Sequence, residues 1–222
     1  LRNLYRVHQR LCMAFPSCAH QEDDPQFLKP FQPDGFDHVH GPRTGDQAFL
    51  FRVDPLPGGR AVILVQSAIK PDWDYGFHNA GYLLVPPVQV RPCAPHFAAG
   101  QSLRFRLVAN PTRKIDTKTG SDGKKNNGQR VPVPIAKLDE WLTDRAGPAG
   151  FHVERLTSVQ SGYVYVSKNG GGGGNRRRST RYDGILQVTD PARFSDTLTR
   201  GIGPAKAFGF GLLSVAPAGK GP

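Results

Sequence analysis

Cysteine is scarce in this chain, and what there is does not pair off. Its 222 residues hold Cys12, Cys18 and Cys93, an odd number with no Cys-x-x-Cys spacing, so neither a disulfide framework nor a zinc site is supported. No apolar run approaches membrane-spanning length. No secretory signal is visible, although the chain starts at Leu1 rather than Met, which leaves upstream residues open. A reducing cytosol is the simplest compartment. Acidic charge is short in one half only. Residues 1–99 carry nine Lys/Arg against nine Asp/Glu and residues 100–222 carry twenty against nine, so the whole net charge of +11 falls in the second half. A basic field confined to one region is the footprint of a polyanion, with nucleic acid first among candidates, although a merely basic soluble protein would share it. The carboxylates form no cluster suited to catalytic magnesium. His38-x-His40 lacks a third ligand at a sensible spacing, and His20 is read with them as a surface histidine, so no metal and no cofactor is expected.

Apolar material is sufficient for a core, at 38% of the chain, and Gly 26 with Pro 20 point to short elements joined by many loops. The chain opens with an amphipathic helix over residues 1–15. Asn3 is its cap, Leu4, Val7, Leu11 and Phe15 recur at helical spacing, and Pro16 ends it. Tyr5 and His8, three apart, share one edge of it. Residues 17–46 read as a polar loop. Strands at 48–53 and 61–67 flank a turn at 54–59 and form a hairpin; a further strand is expected around Tyr82–Val90, and Pro92–Pro95 reads as a linker.

In the second half, Ser102–Ala109 alternates apolar and basic residues, which places Leu103, Phe105 and Leu107 inward and arginines outward. A basic loop over 110–130, a helix over 135–146 and a strand over 151–159 follow. Tyr163–Val166 and Gly184–Val188 flank a hairpin tip, Asp190 caps a helix with Pro191 at its first position, and a last strand is expected over 207–215. The order β-α-β-β-α-β is the ferredoxin-like signature. The first half repeats it without an opening strand. The expected fold is therefore α+β, two tandem ferredoxin-like (RRM-like) domains at 1–92 and 93–222, with the first strand of the N-terminal domain missing from the chain.

Two stretches carry the chemistry. Gly201-Ile202-Gly203-Pro204-Ala205-Lys206-Ala207-Phe208-Gly209-Phe210-Gly211 is dense in glycine around one lysine. Unshielded N–H groups and an ammonium suit phosphate, yet a plain flexible turn before a buried strand would look the same. The Gly-x-x-x-x-Gly-Lys order of a nucleotide-binding loop is absent, and the stretch follows a helix rather than a strand, unlike a dinucleotide fingerprint. The second stretch runs Ser167–Arg181. It holds five consecutive glycines and five cations, Lys168, Arg176, Arg177, Arg178 and Arg181, with no acid. A partner supplying phosphates would relieve both the entropy of the glycines and the repulsion of the cations, whereas without one this is a disordered surface loop. Arg113 and Lys114 join the same field.

Several motifs together resemble the CRISPR-associated endoribonucleases of CasE type, which process precursor CRISPR RNA within the type I-E Cascade complex. They are the glycine-rich stretch through Leu213; Tyr5-x-x-His8 with Ala14-Phe15-Pro16; Val65-Gln66-Ser67 with Pro71-Asp72-Trp73; Phe105-Arg106-Leu107-x-Ala109-Asn110-Pro111; and Gly184–Pro191. The resemblance runs from residue 3 to about 217. It implies metal-independent cleavage at the base of a repeat stem-loop, giving 2′,3′-cyclic phosphate and 5′-hydroxyl ends, with the product retained by a subunit of Cascade. Its implied catalytic residues are His8 as acid/base and Tyr5 beside it. Arg113, Lys114, Lys168, Arg176, Arg177, Arg178, Arg181, Gly201, Gly203, Lys206, Gly209 and Gly211 would contact the RNA. Imidazole, which titrates near neutrality, suits such proton transfer. Taken alone, His8 could equally be a helix-edge histidine. Two other readings stay open: a Cascade subunit that holds the stem without cutting, and a generic tandem RRM-like binder, which would want aromatics where Ser102–Ala109 offers arginines.

Overall fold

The computed structural model describes residues 3–15, 49–78, 80–85, 88–115, 128–166 and 175–218. The polar loop with His20, His38 and His40, the remainder of the basic loop at 116–127, and Lys168 with the glycine run at 170–174 lie outside them.

The chain is a mixed helix and strand protein with antiparallel sheets. Helix α1 (Leu4–Cys12) starts where Asn3 Oδ1 accepts from the Tyr5 N–H at 3.0 Å. It buries Val7, Leu11 and Cys12. Strands β1 (Phe49–Pro55) and β2 (Ala61–Ser67) form the expected hairpin in register Phe49↔Ser67 to Pro55↔Ala61. Short helix α2 (Trp73–Phe77) closes against the end of α1, where the Asp72 N–H donates to Ala14 O at 2.9 Å. Phe51, Phe77, Val7 and Leu11 share a small core there.

Among the described residues the expected strand around Tyr82–Val90 does not form: residues 81–83 form a 3-10 turn, and those that follow are irregular. Pro86-Pro87 brings no N–H donors to a ladder, and Tyr82, Leu83 and Val85 stay exposed rather than alternating inward.

The second half is built on a four-stranded antiparallel sheet in the order β6-β7-β3-β8. Its strands are β3 (Ser102–Ala109), β6 (Phe151–Val166), β7 (Asn175–Val188) and β8 (Leu213–Pro217). A two-stranded ribbon, β4 (Thr112–Lys114) with β5 (Arg130–Pro132), occupies the ends of the basic loop. Helix α3 (Leu138–Ala146) and helix α4 (Pro191–Arg200) cover one face, packing Leu142, Trp141, Phe194 and Leu198 over Leu103, Phe105 and Leu107. The arginines of β3 take the other face, as its alternation implies.

Several boundaries differ from the sequence expectation: the first helix ends at Cys12 rather than at residue 15, and α3 begins at Leu138 after a 3-10 turn over Ile135–Lys137. Strands β6 and β7 run on as a long hairpin in unbroken pairing from Ser158↔Asp183 to Val166↔Asn175. The last strand begins only at Leu213, because Gly209 and Gly211 sit at φ 76° and 91°, outside the extended region. The halves are fastened by Arg52, whose Nη1 donates to Ser214 Oγ at 2.7 Å while its Nε and Nη2 hold Asp54. Gln66 Nε2 adds a bond to Leu198 O at 2.8 Å.

Candidate functional site

Tyr5 and His8 stand on the edge of α1 beside its buried stripe, with ring centroids 6.2 Å apart. The His8 imidazole lies against β1, stacked on Phe49 at 5.6 Å and on Phe51 at 6.1 Å. Phe49 and Phe51 are two apart on a strand, so both point to the same side. Tyr5 meets Phe208 at 6.0 Å. Phe208 belongs to the 3-10 turn of residues 206–208, which packs against both α1 and β1. The structure thus brings the glycine-rich stretch to the helix that carries Tyr5 and His8.

The glycines of that stretch have a task the sequence does not reveal. The N–H groups of Gly201, Gly209 and Gly211 are donated internally, to Thr197 O, Lys206 O and Val108 O at 2.7, 3.1 and 2.8 Å. A side chain at Gly201 would run into Leu50 and Gly211 O, one at Gly203 would touch Trp141, and one at Gly211 would meet Ile202 O. These glycines let the chain fold tightly over β1 and α3 at positive φ. That leaves Lys206 as the cation of the stretch. Burial first and repulsion from Arg200 second hold its ammonium below the usual lysine range, although the residue as a whole is exposed. Gly209→Ala is expected to press on Phe51, since a Cβ there would stand 3.0 Å from Cε2 of that ring at φ 76°. The left-handed conformation alone costs a non-glycine residue about 1–2 kcal/mol. Thermal unfolding should show a lowered midpoint, and an unchanged one would remove the packing role.

Alternation on β7 splits the arginine run. Arg176 and Arg178 pair with Tyr165 and Tyr163 on one face, and their guanidiniums lie 4.5 and 5.4 Å from the Tyr163 ring. Arg177 is on the other face, 5.8 Å over Phe208, and so nearer Tyr5. The Nε atoms of Arg177 and Arg178 are buried with no acceptor among the described residues. Such orphaned donors suit a ligand that brings acceptors. Arg181 is committed differently: its Nε and that of Arg106 each hold Asp183 at 2.6 Å. Burial raises the Asp183 carboxyl, but the hydrogen bonds from Arg106 and Arg181 outweigh it and leave the group below the usual carboxylate range. Arg113 and Lys114 are exposed on β4. They follow Asn110, whose Nδ2 donates to Arg178 O at 2.7 Å, so the ribbon leaves β3 beside the hairpin.

Sequence reasoning missed Phe49, Phe51, Phe208, Tyr163 and Asp183. Phe49 and Phe51 are legible as strand residues, but nothing in the spacing says that α1 covers them. The Tyr163-Val164-Tyr165 alternation opposite an arginine run is a signal that cross-strand stacking could have drawn on.

Fold and site together define a basic α+β protein in which a tyrosine–histidine pair faces a cationic turn and an arginine hairpin. The chain belongs to the CRISPR associated protein family, which it matches over residues 1–217. It is 36% identical over 186 residues to the CRISPR-associated endoribonuclease Cse3 of Thermus thermophilus, covering 78% of this chain and 82% of that protein. It is 29% identical over 221 residues to the Cascade subunit CasE of Escherichia coli K12, covering 97% and 93%. Among solved structures, Thermus thermophilus Cse3 bound to an RNA representing a pre-cleavage complex aligns with a TM-score of 0.65 at 30% identity, over 98% of this chain and 90% of that one. Cas6e from Escherichia coli K-12 gives 0.60 at 26% identity, over 97% and 93%.

Proposed function

We propose that this chain is an endoribonuclease that cleaves precursor CRISPR RNA at the base of a repeat stem-loop and stays on the product as a Cascade subunit. The observation that carries the reading is the placement of Tyr5 and His8 against the turn of Lys206 and Phe208, with Arg177 above it, in a chain 36% identical to an endoribonuclease. The 2′-hydroxyl attacks the adjacent phosphorus, so the 2′-O–P bond forms as the P–O5′ bond breaks. The 2′-hydroxyl proton is removed, the 5′-oxygen gains one, and the products end in a 2′,3′-cyclic phosphate and a 5′-hydroxyl. His8 transfers protons, Tyr5 orients the hydroxyl or phosphate, and the cations of Lys206 and Arg177 offset the charge that grows on the phosphorane oxygens. In-line alignment supplies much of the rate.

The remaining cations, Arg113, Lys114, Lys168, Arg176 and Arg178, hold the stem backbone, while Arg181 is held by Asp183 and Gly203 packs on Trp141. Gly201, Gly209 and Gly211 act by shaping the turn. We read the architecture as tandem ferredoxin-like domains at 1–92 and 93–222. Its support in the second half is the sheet order, with the first strand of the unit central and beside the last. In the first half it is the helix–hairpin–helix order of α1, β1, β2 and α2. We place it in the cytoplasm, since three cysteines with no paired spacing suit a reducing compartment.

Incubation with a repeat stem-loop RNA in excess EDTA is expected to give one cut, with a cyclic phosphate on the 5′ fragment. Cleavage that requires added magnesium and leaves a 5′-phosphate would overturn the chemistry. Tight binding without any cut would favour the subunit that only holds RNA.

A further inference from the structure

We propose that Tyr163 is a positioning residue for RNA binding, holding Arg176 and Arg178 as a braced pair that takes two neighbouring phosphates of one strand of the stem; this rests on the reading of the hairpin as part of the RNA interface. In the pairing of β6 with β7, Tyr163 stands opposite Arg178 and Tyr165 opposite Arg176. Residues two apart on a strand share a face, and a long side chain also reaches its diagonal neighbour across the ladder. The Tyr163 ring accordingly meets both arginines. The guanidinium carbon of Arg176 is 4.5 Å from its centroid and that of Arg178 is 5.4 Å away, inside the range of about 6 Å over which a ring face attracts a cation. Arg178 Nη2 also donates to the Tyr163 hydroxyl at 3.2 Å. Tyr163 is 53% exposed, so it is a surface ring with arginines on it rather than a core side chain.

Without a brace, such a pair would bind phosphate poorly. Two guanidiniums on one exposed strand repel each other, and each long side chain has rotamer freedom to lose when a ligand fixes it. Among the described residues no carboxylate pairs with either arginine, whereas Arg106 and Arg181 on the opposite face are both tied to Asp183. A shared aromatic ring restrains the two side chains in another way. Its electron-rich face attracts both cations, and it cancels no positive charge, as a carboxylate would. The two arginines leave the strand about 7 Å apart, close to the step between neighbouring phosphates on one RNA strand. Order already present in the free protein reduces the entropy lost on binding, so a residue that touches no phosphate still raises affinity.

The test compares Tyr163→Leu and Tyr163→Phe in the full chain, with a repeat stem-loop RNA titrated at several salt concentrations. Tyr163→Leu should weaken binding about tenfold, the scale of ordering two long side chains. The factor should be the same at every salt concentration, because all the cations remain. Tyr163→Phe keeps the ring and loses only the hydroxyl, so it should recover most of that affinity. In a background of Arg176→Ala with Arg178→Ala, adding Tyr163→Leu should cost nothing further. In the RNA-free protein, the Nε–H NMR signals of Arg176 and Arg178 should lose their ring-current shift in Tyr163→Leu and keep it in Tyr163→Phe, a signature that a purely structural role for the ring would not give. Equal losses with and without the two arginines would overturn the proposal, since Tyr163 would then act on the RNA or the hairpin directly. A Tyr163→Phe protein as weak as Tyr163→Leu would overturn it too, as would arginine signals indifferent to the ring. The arginine background separates this proposal from the reading beneath it. If removing both arginines leaves binding unchanged, the hairpin is not at the RNA and both statements fall. If it weakens binding while Tyr163→Leu does not, only the brace is refuted.

Discussion

His8→Ala is expected to slow single-turnover cleavage of a repeat stem-loop by about 10²–10⁴-fold, the range that a positioned proton-transfer group contributes, while the Kd for the RNA stays as in wild type. The separation follows from where His8 sits. Its ring packs on Phe49 and Phe51 from β1 and on the Cys12 thiol, whereas the candidate backbone-holding cations belong to β4, β7 and the turn of 206–208. Removing an imidazole takes away neither cation nor stem contact. Because Val7 and Leu11 bury the stripe beside it, α1 should hold its place in the variant, and thermal unfolding should shift little. Rates are to be read at saturating protein, so that weakened binding does not pass for lost chemistry. Tyr5→Phe should cost less, because its ring contact with Phe208 survives and only the hydroxyl goes. A His8→Ala protein that cuts at the wild-type rate would remove proton transfer from this helix altogether.

Much of this site was open to reading because its parts are local. Helix α1 announces itself by Asn3 as cap and by Val7 and Leu11 at helical spacing, and that spacing alone puts Tyr5 and His8 on one edge. The β3 alternation likewise announced Leu103, Phe105 and Leu107 as its inner face. What was not legible depends on partners distant in sequence. Gly201 and Gly209 look like flexibility, yet the structure sets them against Leu50 and Phe51, some 150 residues earlier. The amides expected to cradle phosphate at Gly201, Gly209 and Gly211 are donated to the protein's own carbonyls. Apolar content misleads at Tyr82–Val90, where the run has strand-forming residues but is interrupted by Pro86-Pro87, and its described residues form no strand. Conversely, Asn175–Thr180 has poor strand residues and is nevertheless a strand, because Tyr163 and Tyr165 on β6 pair across it under the arginines.

The same pairing decides what the arginine run should do. Replacing Arg176, Arg177 and Arg178 together by alanine is expected to weaken RNA binding steeply at low salt and to flatten its salt dependence. Each phosphate contact contributes about 0.7–0.9 to the slope of log K against log salt, so the loss of three should lower that slope by about 2–3. Single variants should then differ in kind, since strand alternation sends them to opposite faces. Arg176 and Arg178 share the face of Tyr163 and are stacked on its ring. Their removal should weaken binding and spare the rate of the bound complex. Arg177 lies over Phe208, which in turn meets Tyr5. Its removal should lower the single-turnover rate as well as the affinity, because its charge lies on the Tyr5 side, where the reacting phosphate is proposed to sit. Equilibrium titrations at several salt concentrations, paired with single-turnover cleavage, check both statements. An unchanged slope in the triple variant would take the hairpin out of the RNA interface. Identical behaviour of Arg177→Ala and Arg178→Ala would mean that RNA meets the hairpin tip as one undivided patch, with no distinction between its faces.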